Sequence, residues 1–257
     1  MRRQIIRRVS KSAQAGQALA LFSLVLGLVA LAAHRFDKID TLTFLISGAV
    51  AITIALIALG FAALGLWRMW SEGAKAGSAI LRSTFFAGLT LSPVIFAGIM
   101  GLQTPLINDV SSDWVSPPAF PIGSRVNLTP PFAEQKTEAD IAALQAEAYP
   151  DIVTQDLNIE PQLANQIIGA AAKSLGWTPT TQAGSLATTG ALLAFETRSL
   201  IFGFTDDIVV RLKRGQTGLQ LDIRSTGRAG LADLGAHAKR IRAFFAAFAS
   251  EQRKRGV

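Results

Sequence analysis

The sequence contains no cysteine and only two histidines, His34 and His237. The absence of cysteine excludes disulfide bonds, thiolate nucleophiles, cysteine-ligated zinc and iron–sulfur clusters. The scarcity of histidine leaves few imidazoles for general base catalysis. No phosphate-binding loop, dinucleotide fingerprint or zinc-binding pattern occurs either, so the sequence predicts no cofactor, no metal site and no catalytic residue.

Asp, Glu, Lys and Arg are absent from three long hydrophobic runs, residues 15–33, 42–67 and 83–102. Each run reaches the roughly 18 to 20 residues that a helix needs to cross a bilayer. We therefore predict a membrane region over residues 1–102 with three transmembrane helices. Small residues allow close contact between such helices, and the candidates are Gly48, Gly60, Gly98 and Gly101.

The first run allows two interpretations. It follows the basic segment MRRQIIRRVSK and contains Ala30-Leu31-Ala32, a pattern that fits the cleavage site of a signal peptide. The run is longer than the usual apolar region of a signal peptide, about 7 to 15 residues, and two further runs follow it closely. We expect an uncleaved helix.

The net charge of +7 is concentrated in the membrane region. Residues 1–101 contain 10 Lys or Arg and 3 acidic residues, a difference of 10 − 3 = 7, whereas residues 102–257 contain 15 of each. The C-terminal part is therefore neutral and is not expected to bind nucleic acid.

The basic residues that flank the runs are distributed unevenly. Five precede the first run and three lie between the second and third, whereas the loop HRFDKID between the first and second is balanced. The positive-inside rule therefore predicts a cytoplasmic N-terminus and a C-terminal domain on the other side, which in a bacterial inner membrane is the periplasm.

A proline-rich segment follows the third run. Six of the ten prolines fall within residues 103–136, which predicts an extended connector without regular helix or central strand. Trp114, Phe120 and Phe132 are interleaved with these prolines, and a solvated spacer gains nothing from aromatic side chains. We expect part of the connector to pack on the following domain or on a partner.

Residues 137–257 predict a soluble α+β domain. A capping box at Thr137 and Asp140 begins a short helix, a strand follows, and an amphipathic helix is predicted over 161–175. The hydrophobic period then changes to two, which predicts four strands before a final helix over 234–255. The order α-β-α-β-β-β-β-α is typical of an antiparallel sheet with helices packed on one face.

The alternation within the strands separates two faces of the sheet. The residues expected to face a core are Ile208, Val210, Leu212, Leu219, Leu221 and Ile223. The residues expected on the opposite face are Glu196, Arg198, Arg211, Lys213, Asp222 and Arg224.

The stretch DIRSTGRAGLADLG, residues 222–235, joins the last strand to the last helix and has two interpretations. In the structural one, Asp233 caps the helix through its carboxylate, and the arginines pair with nearby aspartates. In the functional one, the arginines and helix amides bind a phosphate or carboxylate. Charge clusters at strand ends are mostly structural, so the first is favoured. The candidate anion-binding or ligand-binding residues are Arg211, Arg224, Arg228, Asp206 and Asp207.

The neighbouring pair Asp206 and Asp207 and the single His237 invite a catalytic interpretation. Asp206 and Asp207 resemble an acid–base or metal-binding pair, but neighbours on a strand point to opposite faces, so a turn with cross-strand salt bridges is favoured. His237 lies near the apolar stripe of the final helix, where a lone histidine is usually a packed, hydrogen-bonded residue.

Five segments in order resemble the family called domain of unknown function 1499. They are INDVSSDWVSPPAF (107–120), YPDI (149–152), LGW (175–177), FGFTDDIVVR (202–211) and DIRSTGRAGLADLGAHAKRIRAF (222–244). The three preceding runs resemble those of membrane-anchored bacterial members. The resemblance implies a fold and an envelope setting but no reaction. Family members usually carry Asn at the position of His237, which argues against an essential imidazole there.

Three functions follow from these observations. The leading one is a non-catalytic binding or assembly role in the cell envelope, with membrane lipids and an envelope protein as partners. The alternatives are a hydrolase or transferase that acts through the Asp/Arg cluster and a subunit of a larger membrane complex. Convergent charged groups in a cleft favour an enzyme, whereas a salt-bridged sheet face favours binding.

Overall fold

The computed structural model describes residues 8–121, 136–183, 191–215 and 218–257. The chain forms two compact units, Met1–Ile99 and Met100–Val257. Phe132 of the predicted connector lies outside the described residues.

The first unit is built from three helices, α1 (Lys11–Arg35), α2 (Thr41–Glu72) and α3 (Gly77–Gly101). Each is long and apolar enough to cross a membrane, which confirms the three predicted helices. Ser10 begins α1 and Asp40 begins α2 by accepting a hydrogen bond from a backbone N–H of the first turn. Their apolar side chains are largely exposed, as expected for a surface that lipid covers.

Small residues set the contacts between these helices. A Cβ atom placed on Gly16 would lie 2.9 Å from the carbonyl oxygen of Ala58, and one on Gly65 would lie 2.7 Å from the Cβ of Ala13. α1 and α2 therefore approach closely at two glycines that the sequence analysis did not single out. The contacts predicted at three other glycines are wrong, since no atom of another helix lies within 4 Å of a Cβ placed on Gly48, Gly60 or Gly98.

The second unit is an antiparallel sheet with helices, which confirms the predicted α+β fold. The strand order is β1-β6-β5-β4-β3, and β2 also pairs with β6. The strands are β1 (Asp109–Ser111), β2 (Gln155–Leu157), β3 (Thr178–Ala183), β4 (Ala191–Arg198), β5 (Thr205–Arg214) and β6 (Leu219–Gly227). The helices are α4 (Glu138–Ala148), α5 (Pro161–Ser174) and α6 (Ala236–Lys254).

One face of this sheet is buried under α5 and α6. Trp177 stacks on Phe244 of α6 with ring centroids 5.4 Å apart, and Ile167 and Ile168 of α5 are fully buried in the same cluster. Burial of each such side chain contributes roughly 1.5 to 3 kcal/mol. All six residues predicted to face the core are in this cluster: Ile208, Val210, Leu212, Leu219, Leu221 and Ile223.

β1 was not predicted, and it lies inside the predicted connector. It is only three residues long, too short for a hydrophobic period, and it pairs with the second half of β6 at the edge of the sheet. Ile107 and Val110 are buried in the core cluster, and the amide of Gln145 in α4 bonds both backbone groups of Ser111. Part of the proline-rich segment therefore packs on the domain.

Candidate functional site

The sheet has a second face that carries charged residues. In the register of β5 with β6, Arg211 lies opposite Asp222, and Val209 lies opposite Arg224. These residues alternate with the core residues and so point away from α5 and α6. We call this surface the outer face and define it by Glu196, Asp207, Val209, Arg211, Lys213, Asp222 and Arg224, together with Arg228, which pairs with Asp207.

Arg211 belongs to a closed ion-pair cluster on the outer face. Its Nε and Nη2 donate to Oδ2 of Asp222 at 3.1 and 2.7 Å, and Nη2 also donates to Asp113 at 2.9 Å. Lys213 donates to Asp113 at 2.8 Å, and the hydroxyl of Thr154 donates to the fully buried Asp222 at 2.6 Å. Burial alone would raise the pKa of Asp113, but the hydrogen bond from Lys213 helps to hold that pKa below its ordinary value.

Arg224 is enclosed by the segment that precedes α4. Its Nε and Nη2 donate to the two carboxylate oxygens of Asp109 at 2.9 and 2.8 Å, and Nη2 also donates to Glu138 at 3.1 Å. The rings of Trp114 and Phe120 lie 5.1 and 5.6 Å from its guanidinium carbon. Only 5% of Arg224 is exposed, so its charge is neutralised and covered within the domain.

Arg228 is the most exposed of the three candidate arginines. Its Nε and Nη2 donate to Asp207 at 2.9 and 2.6 Å, and Nη2 donates to Glu196 at 3.1 Å. Glu196 and Asp207 face each other across β4 and β5, and Arg228 neutralises these two like charges. The hydrogen bond to Asp207 raises the pKa of Arg228, and 35% of its side chain remains exposed.

Asp206 lies on the helix face of the sheet and does not join the other candidates. It accepts a hydrogen bond from Nη2 of Arg240 in α6 at 2.6 Å. Burial raises the pKa of Asp206 despite this ion pair. The structure therefore separates Asp206 from Asp207, as the alternation of side chains along a strand requires, and the partner of Asp206 is Arg240 rather than Arg224 or Arg228.

A buried polar cluster lies beside Asp206. The hydroxyl of Ser225 is 3.0 Å from Nδ1 of His237, and Nε2 of His237 is 3.2 Å from Oδ1 of Asn108. Arg240 approaches Nδ1 of His237 at 2.6 Å, and because a guanidinium can only donate, Nδ1 accepts and the imidazole proton is on Nε2. Burial, with a contribution from Arg240, lowers the pKa of His237 well below its ordinary value, so this imidazole is neutral.

Asn108 anchors the corner at residues 227–235, between β6 and α6. Its side-chain nitrogen lies 3.2, 3.2 and 3.0 Å from the carbonyl oxygens of Gly227, Ala229 and Gly230. Its own backbone carbonyl accepts from the hydroxyl of Thr226 at 2.9 Å. The turn between β6 and α6 is therefore held from the chain segment that leads into β1.

Asp233 provides hydrogen-bond acceptors for backbone N–H groups at the start of α6. Its carboxylate accepts hydrogen bonds from the backbone N–H groups of Gly235, at 2.9 Å, and of His237. Gly235 occupies the cap position itself in a left-handed conformation, with φ of 82°, so the carboxylate reaches the helix from two residues upstream. The backbone N–H of Asp233 donates to the carbonyl of Ile107, a second tie to the segment before β1.

The structure thus divides the five candidate residues among separate carboxylate–arginine clusters. Sequence reasoning missed their partners Asp109, Asp113 and Trp114, although all three lie in the quoted segment INDVSSDWVSPPAF. An isolated sequence gives no spacing rule for ion pairs between residues 98 to 115 positions apart. Within the described parts of the chain, no group of three or more His, Asp or Glu is placed to hold a metal ion.

The family model described as "Protein of unknown function (DUF1499)" matches residues 109–248, which is more than half of the chain. The match begins at the first residue of β1 and extends into α6, so it includes the whole outer face and the corner at 227–235. No curated protein and no solved structure matches the chain. The chain therefore belongs to the DUF1499 family.

Proposed function

We propose that this protein is a multi-pass protein of the bacterial inner membrane whose periplasmic domain has a non-catalytic binding or assembly role in the cell envelope. The observation that carries the proposal is the mutual neutralisation of the outer face. Each of three arginines donates hydrogen bonds from two nitrogens to one carboxylate group and one further hydrogen bond to a second carboxylate group; they are Arg211, Arg224 and Arg228. Such charges stabilise the surface that presents them and have little capacity left to polarise a substrate.

The orientation in this proposal rests on charge and on one contact in the first unit. The excess of 10 − 3 = 7 positive charges lies in residues 1–101, mostly before α1 and around the loop between α2 and α3. The backbone of Lys75 in that loop bonds the carbonyl of Arg8 and the N–H of Ser10. The two basic segments are therefore adjacent, which supports placing both on the cytoplasmic side.

The hydrolase alternative finds one superficial support in the structure. The hydroxyl of Ser225 contacts His237, which in turn contacts Asn108, as a nucleophile contacts a base that a third group orients. Ser225 has no exposed surface and His237 has 1%, and Arg240 donates to both of them. A substrate cannot reach this hydroxyl, so we interpret the cluster as a buried polar network that fixes α6 against β6.

Site-specific photo-crosslinking in native membranes tests the proposed role. A photoreactive residue at position 196, where 38% of the Glu196 side chain is exposed on the outer face, is expected to give a discrete adduct with an envelope component. The Arg228–Asp207 pair remains in this variant and preserves the face. The matched control places the same residue at Lys239, which is exposed on α6.

An adduct of equal yield at both positions, or at neither, would contradict a binding role for the outer face. Wild-type chain that releases a product from isolated envelope material, with the release abolished in Asp207→Asn, would favour the hydrolase instead. Mass spectrometry of the adduct at position 196 also tests the third function, because a subunit of a membrane complex would give the same integral membrane partner in every preparation.

A further inference from the structure

The turn between β4 and β5 exposes apolar side chains to the solvent. Leu200 is 85% exposed and Ile201 is 64% exposed at the tip of this hairpin, residues 199–204. Behind the tip, the rings of Phe202 and Phe204 stack with centroids 5.9 Å apart. Exposed Leu and Ile next to each other at a turn are unusual, since turns are normally formed by Gly, Pro, Asn, Asp and Ser.

The geometry of the turn does not require these apolar residues. The N–H of Ser199 donates to the carbonyl of Phe204 at 2.8 Å, and the hydroxyl of Ser199 accepts from the N–H of Phe204 at 2.9 Å. Gly203 supplies the left-handed conformation, with φ of 74°. Ser199 and Gly203 thus close the turn, and Leu200 and Ile201 are free to serve a contact outside the domain.

The hairpin tip lies at the end of the sheet where the chain enters from α3. Thr205 at the start of β5 pairs with Arg198 at the end of β4, and Asp206 pairs with Gly227 at the end of β6. The N–H of Gly227 in turn donates to the carbonyl of Asn108, the residue before β1. The register therefore brings the tip and the entry point of the chain to the same end of the sheet.

The link from α3 to the core of this domain is short. α3 has 25 residues and ends at Gly101. At about 1.5 Å per residue it exceeds the hydrocarbon thickness of about 30 Å, so its end lies near the bilayer surface. Ile107 is already buried in the core, and residues 102–106 can bridge at most about 20 Å when fully extended. The entry end of the sheet is consequently held close to the lipid.

Further exposed leucines lie at the same end of the domain. Leu102 is 88% exposed and Leu106 is 53% exposed in the link, and Leu231 is 43% exposed in the corner that Asn108 anchors. An apolar side chain in water gains free energy when a nearby bilayer covers it, at roughly 25 cal/mol for each Å². A surface of this kind, kept near lipid by its own chain, matches a membrane-contacting edge.

We propose that the hairpin tip, residues 199–204, inserts Leu200 and Ile201 into the lipid surface. This contact depends on the anchoring by the three helices and is independent of the partner proposed for the outer face.

Spin-label accessibility on the full chain in phosphatidylethanolamine and phosphatidylglycerol vesicles tests the insertion. Because the sequence has no cysteine, Ile201→Cys creates a unique labelling site. Val153→Cys is the matched control, since Val153 is 50% exposed and precedes β2, which pairs with β6 at Leu219 to Leu221, at the far end of the sheet. The ratio of oxygen to water-soluble nickel accessibility should be several-fold higher at residue 201 than at residue 153.

A second variant separates insertion from simple proximity. Leu200→Ser combined with Ile201→Cys should lower the ratio toward the value at residue 153, with an unchanged circular dichroism spectrum, because both side chains lie on the surface. Equal ratios at residues 201 and 153 in the single variants would overturn the proposal. A label at 201 that is shielded from both oxygen and nickel would also overturn it, since a protein would then cover the tip.

Discussion

The side chain of Asn108 packs so closely against Gly227 that it leaves no room for a larger residue at position 227. A Cβ placed on Gly227 would lie 2.5 Å from Oδ1 of Asn108 and 3.1 Å from its Cγ. Asn108 cannot move aside without leaving the carbonyls of the corner and the imidazole of His237. The glycine is therefore required by close approach rather than by backbone conformation.

We predict that Gly227→Ala lowers the free energy of unfolding by about 1 to 3 kcal/mol, the usual cost of overpacking. In an Asn108→Ala background the same substitution should cost much less, because the atoms that clash are gone. Denaturant unfolding of the wild type, both single variants and the double variant measures this coupling. Additive losses would show that the clash with Asn108 is not the cause.

Asp233 combines two opposing effects at one carboxylate. It accepts backbone hydrogen bonds at the start of α6, which stabilises the helix, but burial raises its pKa above the ordinary value. A raised pKa means that the folded chain binds the proton more tightly than the unfolded chain does. Ionisation as the pH rises through the folded pKa therefore removes stability, whereas the cap needs an oxygen acceptor and no net charge.

We predict that Asp233→Ala costs about 1 kcal/mol of unfolding free energy and that Asp233→Asn or Asp233→Ser recovers most of it. The stability of Asp233→Asn relative to the wild type should increase as the pH rises from the ordinary aspartate pKa through the raised pKa of Asp233. Thermal unfolding across this acidic range checks both expectations. A relative stability of Asp233→Asn that falls with rising pH would contradict them.

At the scale of the elements, β1 and the segment after it convert an open sheet face into a covered one. The alternation of β5 and β6 correctly predicted which residues lie on the outer face, since a side-chain period of two depends only on local backbone geometry. It did not predict that Asp222 and Arg224 are buried there. Trp114 and Phe120 cover Arg224, while Ser112 and Thr154 contact Asp222, and the approach of these residues depends on long-range packing that has no sequence period.

The candidate site also combines features that follow from local backbone geometry with features that depend on long-range packing. The helix-face residues, the capping box at Thr137 and the separation of Asp206 from Asp207 follow from local rules and were predictable. The partners of the arginines were not, because Asp109 lies 115 positions from Arg224 and Asp113 lies 98 from Arg211. β1 escaped prediction for a related reason, as its three residues are defined by their partner strand and not by their own pattern.

We predict that the ion pair between Asp109 of β1 and Arg224 of β6 stabilises the fold. Removing one partner should cost more unfolding free energy than replacing both partners by apolar residues. Asp109→Asn should lower the unfolding free energy by about 3 to 5 kcal/mol, because the buried Arg224 would lose its buried, doubly hydrogen-bonded carboxylate partner and keep only the exposed Glu138. Asp109→Leu combined with Arg224→Met should cost far less. Asp151→Asn is the control, since the Arg242–Asp151 pair is 45% and 52% exposed and should contribute below about 1 kcal/mol. Equal losses in the two single variants would contradict burial as the cause.

At the scale of the whole molecule, the two units differ in charge as sharply as in structure. The helical unit carries the entire excess of basic residues, while residues 102–257 balance at 15 of each sign. Much of the balance in the second unit is also local, because four of its arginines, Arg211, Arg224, Arg228 and Arg240, each lie within 4 Å of an aspartate carboxylate. We therefore expect no long-range steering of this unit toward nucleic acid, and we expect the charge asymmetry to act on the orientation of the chain in the membrane.

We predict the orientation of the three helices in the membrane from this charge asymmetry. Three crossings from a cytoplasmic N-terminus place the loop at residues 36–40 outside, the loop at 73–76 inside and the C-terminus outside. A reporter that is active only in the periplasm should therefore be active when fused after Asp40 or after Val257 and inactive after Gly73. A reporter that is active only in the cytoplasm should give the reverse pattern. The fusions after Asp40 and Gly73 act as internal controls, since the charge rule assigns them to opposite sides whatever the C-terminal domain does. Cytoplasmic activity after Val257 together with periplasmic activity after Asp40 would show that α3 does not cross the membrane, and the envelope role proposed for the outer face would then be wrong.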